Sequence, residues 1–323
     1  MPLTRWGGCF DLARLSAADK TFRRTQPPLQ RLNAMPLPWN QTWKSRWNQA
    51  NVVVCGASAG LGANLARRVA LAEPASLSLI ARRIAPLHEL RDSIQKDFPK
   101  VEISVFAADA CDRESLAEAA GHIESDVGGT DLCINAVGKS ERGTILELSS
   151  PQVRECFEVN VVSALNCTQS FFPGLKNRNS TLVLIGSLAS LFAPRFLGSY
   201  AIAKHGLAAF AQQARLELAQ DQISVMLACP GPIARADAGT RYATTASNQE
   251  DSATIKGVPM ESLQPGGGAK IKGLDPDQLA DEILQAAAAG RKRLIRPRKA
   301  YWLNAIAAIS PSLGDRILRS RTS

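Results

Sequence analysis

The chain has 323 residues and a hydrophobic content of 45%, which suffices for one large domain or two small ones. Its seven cysteines include no C-x-x-C pair and its three histidines show no ligand spacing, so the sequence predicts neither disulfides nor a bound metal. No stretch approaches about 18 consecutive apolar residues, so we expect no membrane-spanning helix.

The net charge of +9 is concentrated at the two ends of the chain. Residues 1–50 contribute +6 and residues 291–323 contribute +8, which leaves −5 for residues 51–290. An acidic middle disfavours nucleic acid as a partner. The basic ends leave peripheral contact with an anionic membrane surface as an alternative.

Residues 1–50 show no sustained apolar periodicity, and tryptophans and prolines lie among their arginines. We expect a basic N-terminal extension that is disordered, or whose first part precedes a true translation start at Met35. Because the segment is rich in arginine and poor in acidic residues, a targeting segment is the alternative.

A short buried strand, Asn51–Cys55, runs directly into a glycine-rich turn, and a helix is predicted over Ala63–Leu71. Glycines let the backbone turn tightly and approach a pyrophosphate, whose charge is met by N–H groups at the helix N-terminus. The sequence therefore predicts that this turn binds a dinucleotide. The residues of the turn predicted to bind it are Gly56, Ser58, Gly60, Leu61 and Gly62.

A second strand, Ser76–Ile80, is followed by Ala81, Arg82 and Arg83, at the position where a dinucleotide fold binds the adenosine ribose. An acidic residue there would bind a 2′-hydroxyl and repel a 2′-phosphate, whereas two arginines suit a phosphate by charge and geometry. The sequence therefore favours NADP(H) over NAD(H). A solvated arginine pair at a helix entry is the alternative.

Two more strands are predicted over Val101–Ala107 and Asp131–Ile134, with helices over Ile84–Phe98 and Arg113–Ser125. Four β-α units in series imply an α/β fold, a single Rossmann-like domain at residues 51–297. Its doubly wound parallel sheet would have about seven strands, with helices on both faces. Ligands of such sheets bind at the carboxyl ends of the strands.

Polar residues and glycines follow the third and fourth predicted strands. Asp109 is placed to accept a hydrogen bond from an adenine amino group, and the fourth strand ends at Asn135–Gly138. Each motif so far falls at the end of a strand, and this coincidence favours one ligand site at that edge.

Tyr200 and Lys204 lie four residues apart in a run predicted to be helical as far as Ala219, so they share one helix face. The strand before them, Thr181–Gly186, ends at the hydroxyl of Ser187. A free tyrosine has a pKa of about 10, and a neighbouring ammonium favours the phenolate and lowers that pKa. The three side chains could together move a proton on a carbonyl or alcohol oxygen. A packed ring beside a solvated amine is the alternative.

Asn160 lies in the middle of a helix predicted over Pro151–Phe172, among apolar residues. A mid-helix asparagine costs about half a kcal/mol relative to alanine, so this position needs a reason. The side chain either packs with a backbone hydrogen bond or forms a polar relay behind Lys204.

The remaining chain supplies a strand over Ile223–Ala228, then Pro230 and Gly231, and a last strand over Arg293–Arg296 after a helix that starts at Asp275. Between them, residues 234–273 are rich in small polar residues, which predicts a substrate lid or a disordered insertion.

Residues 298–323 form a basic, amphipathic C-terminal segment, predicted to be helical over 299–318 and broken at Pro311. Docking of this segment on the domain or on a second subunit is one interpretation. An interfacial membrane helix is the other.

These motifs, in this order, resemble the short-chain dehydrogenase/reductase family over about residues 50–297. The family's T-G-x-x-x-G-x-G motif corresponds to residues 55–62 with Cys55 in place of threonine, and its N-N-A-G motif to residues 135–138 with Ala136 in place of the second asparagine. Its helix asparagine corresponds to Asn160. Its serine and Y-x-x-x-K motif correspond to Ser187, Tyr200 and Lys204, and its P-G motif to residues 230–231, with Arg235 in place of a later threonine.

The resemblance implies NADP(H)-dependent reduction of a ketone to a secondary alcohol. Ser187 would hydrogen-bond the carbonyl oxygen, Tyr200 would donate the proton, and Lys204 would lower the Tyr200 pKa and bind the nicotinamide ribose. Asn160 would hold a water that links Lys204 to solvent. The further residues predicted to bind the cofactor are Arg82, Arg83, Asp109, Asn135, Gly138, Tyr200, Lys204, Pro230, Gly231 and Ile233.

Two other functions stay open at this stage. One is a catalytically silent NADP(H)-binding sensor or scaffold, and the other is a membrane-associated reductase of long-chain lipid ketones. The expected substrate is a small carbonyl or alcohol, and the family implies a homodimer or homotetramer that pairs through the Tyr200 helix and the helix before it. We expect a cytoplasmic protein, at the membrane periphery if the C-terminal segment binds lipid.

Overall fold

In a computed structural model of the chain, which describes residues 43–234 and 273–321, seven parallel strands form one sheet in the order β3-β2-β1-β4-β5-β6-β7. This order reverses between β1 and β4, as in a doubly wound sheet, so the predicted fold class is confirmed. The strands are β1 Asn51–Cys55, β2 Ser76–Ala81, β3 Glu102–Ala107, β4 Leu132–Asn135, β5 Thr181–Ile185, β6 Ser224–Pro230 and β7 Arg293–Arg296.

Helices cover both faces of the sheet, and each face has its own apolar core. Alternate side chains of β1 point to opposite faces: Val52 and Val54 pack into one core, and Val53 and Cys55 into the other. The helices of the described residues are α1 Trp43–Trp47, α2 Gly60–Ala70, α3 Ala85–Asp97, α4 Arg113–Val127, α5 Ser150–Phe157, α6 Ser163–Leu175, α7 Gly198–Glu217, α8 Pro276–Ala288, α9 Lys299–Ile309 and α10 Pro311–Arg321. None of these has the length and apolar character that crossing a bilayer requires.

Residues 43–50 correct one predicted boundary, because they belong to the folded domain and not to a disordered extension. Trp43 and Trp47 are both buried, and the Trp47 indole N–H donates to the carbonyl of Leu284 on α8 at 3.3 Å. The prediction failed because a five-residue helix is too short to show periodicity. The rest of the predicted extension lies outside the described residues.

The helix predicted over Pro151–Phe172 contains a change of geometry that the sequence did not reveal. Between α5 and α6, residues Glu158–Val162 form one turn of π-helix, and Asn160 lies at its centre. A π-turn inserts one extra residue into the helical ladder and is found most often at functional sites.

The C-terminal segment forms a helical hairpin from α9 and α10, joined at Ser310. A Cβ atom placed on Gly314 would lie 2.7 Å from the Cβ of Ala307, so the two helices approach closely where both residues are small.

The lid predicted at residues 234–273 lies almost entirely outside the described residues. Its two ends are described, and the Ala234 N–H donates to the carbonyl of Leu274 at 2.8 Å.

We expect Trp47→Ala to lower the free energy of unfolding by about 3–5 kcal/mol, because it leaves a cavity between α1 and α8. Trp302→Ala is the matched control, because the Trp302 side chain is 70% exposed, and it should change stability by less than about 1 kcal/mol. Urea titration followed by circular dichroism measures both. Equal losses in the two variants would contradict the placement of α1 in the core.

Candidate active site

A cavity of about 1200 Å³ lies at the carboxyl edge of the sheet, next to the glycine turn. It is lined by every residue that the sequence analysis assigned to the site except Asn135. The structure therefore brings together residues that are up to 177 positions apart in the chain, between Gly56 and Ile233.

The backbone around the glycine turn leaves no room for a side chain at two of its positions. Gly56 has φ +84°, and a Cβ there would lie 2.9 Å from the backbone of Ala136 on the neighbouring strand end. A Cβ on Gly62 would overlap the carbonyl oxygen of Gly56. Helix α2 starts at Gly60, and no side chain caps its N-terminus. Its first N–H groups can therefore meet an anion in the cavity.

The ends of β2 and β3 place opposite charges at one side of the cavity. The guanidinium of Arg82 lies 4.0 Å from the carboxylate of Asp109, and both side chains are substantially exposed. Asp109 also accepts a hydrogen bond from the N–H of Cys111 at 3.0 Å, which orients its carboxylate. Arg83 lines the same part of the cavity.

Asn135 differs from the other predicted site residues, because its side chain is buried at the end of β4 and does not line the cavity. Its amide oxygen accepts the N–H of Val137 at 3.0 Å. This bond shapes the turn that leads to Gly138. The observed role of Asn135 is to hold the turn.

Lys204, on α7, borders the cavity but is almost completely buried. Its Nζ donates to the carbonyl of Ile185, at the end of β5, at 2.9 Å, and lies 5.8 Å from the centroid of the Tyr200 ring. Burial lowers the pKa of the Lys204 amine to about 8, because desolvation disfavours the charged form. Tyr200 itself is half-buried and lines the cavity.

Ser187 follows β5 in extended backbone and opens a short 3₁₀ turn, Leu188–Ser190. Its hydroxyl oxygen accepts the N–H of Ala189 at 3.1 Å, and its own N–H donates to the hydroxyl of Ser190 at 3.2 Å. The first bond fixes the Oγ and leaves the hydroxyl proton to be donated to an acceptor in the cavity.

Asn160 directs its amide oxygen into the same space as the Lys204 amine. Its Nδ2 donates to the carbonyls of Cys156 at 2.8 Å and Lys139 at 2.9 Å, while its buried Oδ1 has no protein partner. A Cβ on Gly138 would lie 2.9 Å from that oxygen and 3.3 Å from the Lys204 Nζ. The missing side chain of Gly138 therefore leaves a polar gap in which a water can bind both groups.

Sequence analysis missed two groups of residues near the site. The buried hydroxyl of Ser199 donates to the carboxylate of Glu141, and this pair adjoins Cys156 behind Lys204. The hairpin supplies part of the cavity wall, through Trp302, Leu303, Ile306, Ile317 and Leu318. The apolar spacing of residues 302, 303 and 306 was visible in the sequence, but it did not show what the helix packs against.

Comparison with known proteins identifies the family from the sequence. The profile described as "short chain dehydrogenase" matches residues 50–246. Dehydrogenase/reductase SDR family member 7B of Bos taurus is 30% identical over 281 residues, which cover 84% of this chain and 81% of the relative. A Dictyostelium discoideum protein, dehydrogenase/reductase SDR family protein 7-like, is 27% identical over 280 residues, with coverage of 84% and 81%.

Solved structures show the same fold at lower sequence identity. L-sorbose reductase of Gluconobacter frateurii, complexed with NADPH and L-sorbose, has a TM-score of 0.65 at 21% identity and covers 77% of this chain and 95% of its own. A 7α-hydroxysteroid dehydrogenase complexed with NADH has a TM-score of 0.63 at 19% identity, with coverage of 78% and 94%. With the sheet order, the glycine turn and the profile match in agreement, the chain belongs to the short-chain dehydrogenase/reductase family, a family of oxidoreductases.

Proposed function

We propose that the chain is an NADP(H)-dependent oxidoreductase that reduces a ketone to a secondary alcohol, with Tyr200 as the proton donor. One observation carries this proposal: Ser187, Tyr200, Lys204 and Asn160 face the same cavity as the glycine turn. A silent binding protein would have no need for this set of groups beside the nucleotide turn.

The proposed roles follow from the contacts of each side chain. Lys204 is held below Tyr200 by the Ile185 carbonyl, so its ammonium favours the phenolate and makes the phenol a stronger acid. Ser187 donates a hydrogen bond to the substrate oxygen, and Tyr200 gives that oxygen its proton. Asn160 holds a water that links Lys204 to solvent, and a proton returns from solvent through this water and Lys204 to the Tyr200 phenolate.

The residues present fit a nicotinamide dinucleotide. The glycine turn and the α2 N-terminus would hold the pyrophosphate, Asp109 the adenine, and Gly138 and Pro230–Ile233 would border the nicotinamide end. When bound, the nicotinamide supplies the hydride, while the protein orients the carbonyl and supplies the proton.

The choice of NADP(H) rests on Arg82 and Arg83, since solved members of the fold hold either NADPH or NADH. No acidic residue occupies the position after β2, where Ala81 is the last strand residue. Two guanidinium groups at this place suit a 2′-phosphate by charge and by bidentate geometry.

Tyr200→Phe should reduce turnover at least about a hundredfold, because the ring stays in place but the proton donor is lost. NADPH oxidation over a panel of ketones measures turnover, and NADPH fluorescence titration provides the control, since the Kd should change less than about threefold. Near wild-type turnover would remove Tyr200 from the mechanism. A wild-type chain that binds NADPH but oxidises it with no ketone would favour the silent sensor instead.

Replacement of both Arg82 and Arg83 by alanine should raise the KM for NADPH by about tenfold or more and leave the KM for NADH nearly unchanged. Arg291→Ala is the matched control, because Arg291 is an exposed arginine at the opposite edge of the sheet. Steady-state kinetics with both cofactors measure the effect. Equal changes for NADPH and NADH would contradict a 2′-phosphate site.

We also propose a homodimer or homotetramer that pairs through α5, α6 and α7. Large apolar side chains are exposed on these helices, at Phe157, Leu165, Ile202 and Leu216. Light scattering of the purified chain should give a multiple of the 34.6 kDa chain mass. A monomer across the measured concentrations would contradict this proposal.

A further inference from the structure

The α9–α10 hairpin exposes four large apolar side chains. Ile309 is 86% exposed, Tyr301 and Trp302 are more than half exposed, and Leu313 is 44% exposed. The Tyr301 and Trp302 rings contact each other edge to face, with centroids 5.9 Å apart. We call these four residues the outer face of the hairpin.

Other residues of the same hairpin form part of the wall of the active-site cavity. Leu303, Ile306, Ile317 and Leu318 line it, and Trp302 reaches from the outer face to the cavity. The hairpin therefore contributes both to the exposed apolar surface and to the cavity wall.

Exposed basic residues flank the outer face. Arg298 and Lys299 stand at the start of α9, and Arg316 and Arg319 lie on α10, whereas Asp315 is the sole acidic residue of the hairpin. Aromatic and aliphatic side chains bordered by cations are typical of segments that lie in the interface of an anionic bilayer. A second copy of the chain would instead bring like charges together, which disfavours self-association through this face.

The hairpin is also built to hold this shape without a partner. The Gly314 N–H donates to the carbonyl of Ser310 at 3.0 Å, and Gly314 packs directly on Ala307. Leu303 and Leu318 pack against the core on the α7 face of the sheet. The apolar outer face is thus presented by a packed element.

We propose that the outer face docks the protein on a lipid bilayer with anionic headgroups. Docking there places Trp302, which is exposed and also lines the cavity, against the bilayer. If the proposed function holds, the substrate is an apolar ketone that dissolves in the bilayer.

Flotation of the full chain with vesicles tests the docking surface without any need for turnover. Wild-type protein should float with phosphatidylcholine–phosphatidylserine vesicles and much less with phosphatidylcholine alone. Ile309→Ser should weaken binding to the anionic vesicles by about tenfold, and Arg316→Glu with Arg319→Glu should remove the preference for anionic lipid. Circular dichroism confirms that each variant is folded.

The matched controls are Leu146→Ser, at a leucine that is 93% exposed in the connection between β4 and α5, and Lys96→Glu with Lys100→Glu, at exposed lysines near the amino edge of β3. Both should bind vesicles like the wild type. Equal flotation of hairpin and control variants, or no flotation of the wild type, would overturn the proposal. So would a loss of oligomer mass in Ile309→Ser without flotation of the wild type, since that result assigns the face to a second copy.

The substrate class has a separate readout. With a long-chain ketone in anionic vesicles, Ile309→Ser should raise the apparent KM about tenfold, while kcat/KM for a short, water-soluble ketone stays within about twofold of the wild type. Parallel changes with both ketones would overturn the bilayer route. A chain that floats but reduces no ketone would contradict the proposed function and leave the docking surface in place.

Discussion

The arrangement of the candidate site depends on one buried amine. Lys204 has lost almost all contact with solvent, and its hydrogen bond to the Ile185 carbonyl fixes it at the end of β5, below the Tyr200 ring. Burying a lysine is costly, which is why its pKa is lowered to about 8. The surrounding residues accommodate the buried amine. Gly138 leaves room for it, and the Oδ1 of Asn160, which has no protein hydrogen-bond partner, faces the same gap.

The parallel sheet explains why these groups meet. All seven strands point the same way, so the residues that follow β1, β2, β3, β4, β5 and β6 converge on one edge. The glycine turn packs closely against Ala136, at the end of β4. Gly231 follows β6 directly, and its N–H donates to the carbonyl of Arg296, at the end of β7, at 2.7 Å. The glycine turn, Tyr200 and the apolar side chains of the hairpin are therefore parts of one cavity.

Much of this could be predicted from the sequence, because strand runs and short motifs are local signals. The positions of Ser187, Tyr200 and Lys204 relative to the strands follow from periodicity and spacing alone. The π-turn at Asn160 could not be predicted, since one extra residue in a helix leaves no trace in apolar periodicity. Helix α1 and the hairpin wall were missed for another reason: Trp47 meets Leu284, and Leu303 meets the cavity, only through contacts distant in sequence. Asn135 begins the segment that matches the family's N-N-A-G motif, yet its side chain does not line the cavity and instead accepts a hydrogen bond within the turn that follows β4.

The central claim is that the fold holds the desolvated Lys204 amine beside the Tyr200 ring, and that this amine gains or loses its proton near neutral pH. Nuclear magnetic resonance titration of lysine side-chain signals in the labelled full chain tests this directly, with Lys204→Met to assign the signal. The account predicts that the Lys204 amine titrates at about pH 8. Titration near the ordinary lysine value of 10.5 would contradict it, because desolvation would then not govern the charge of the amine.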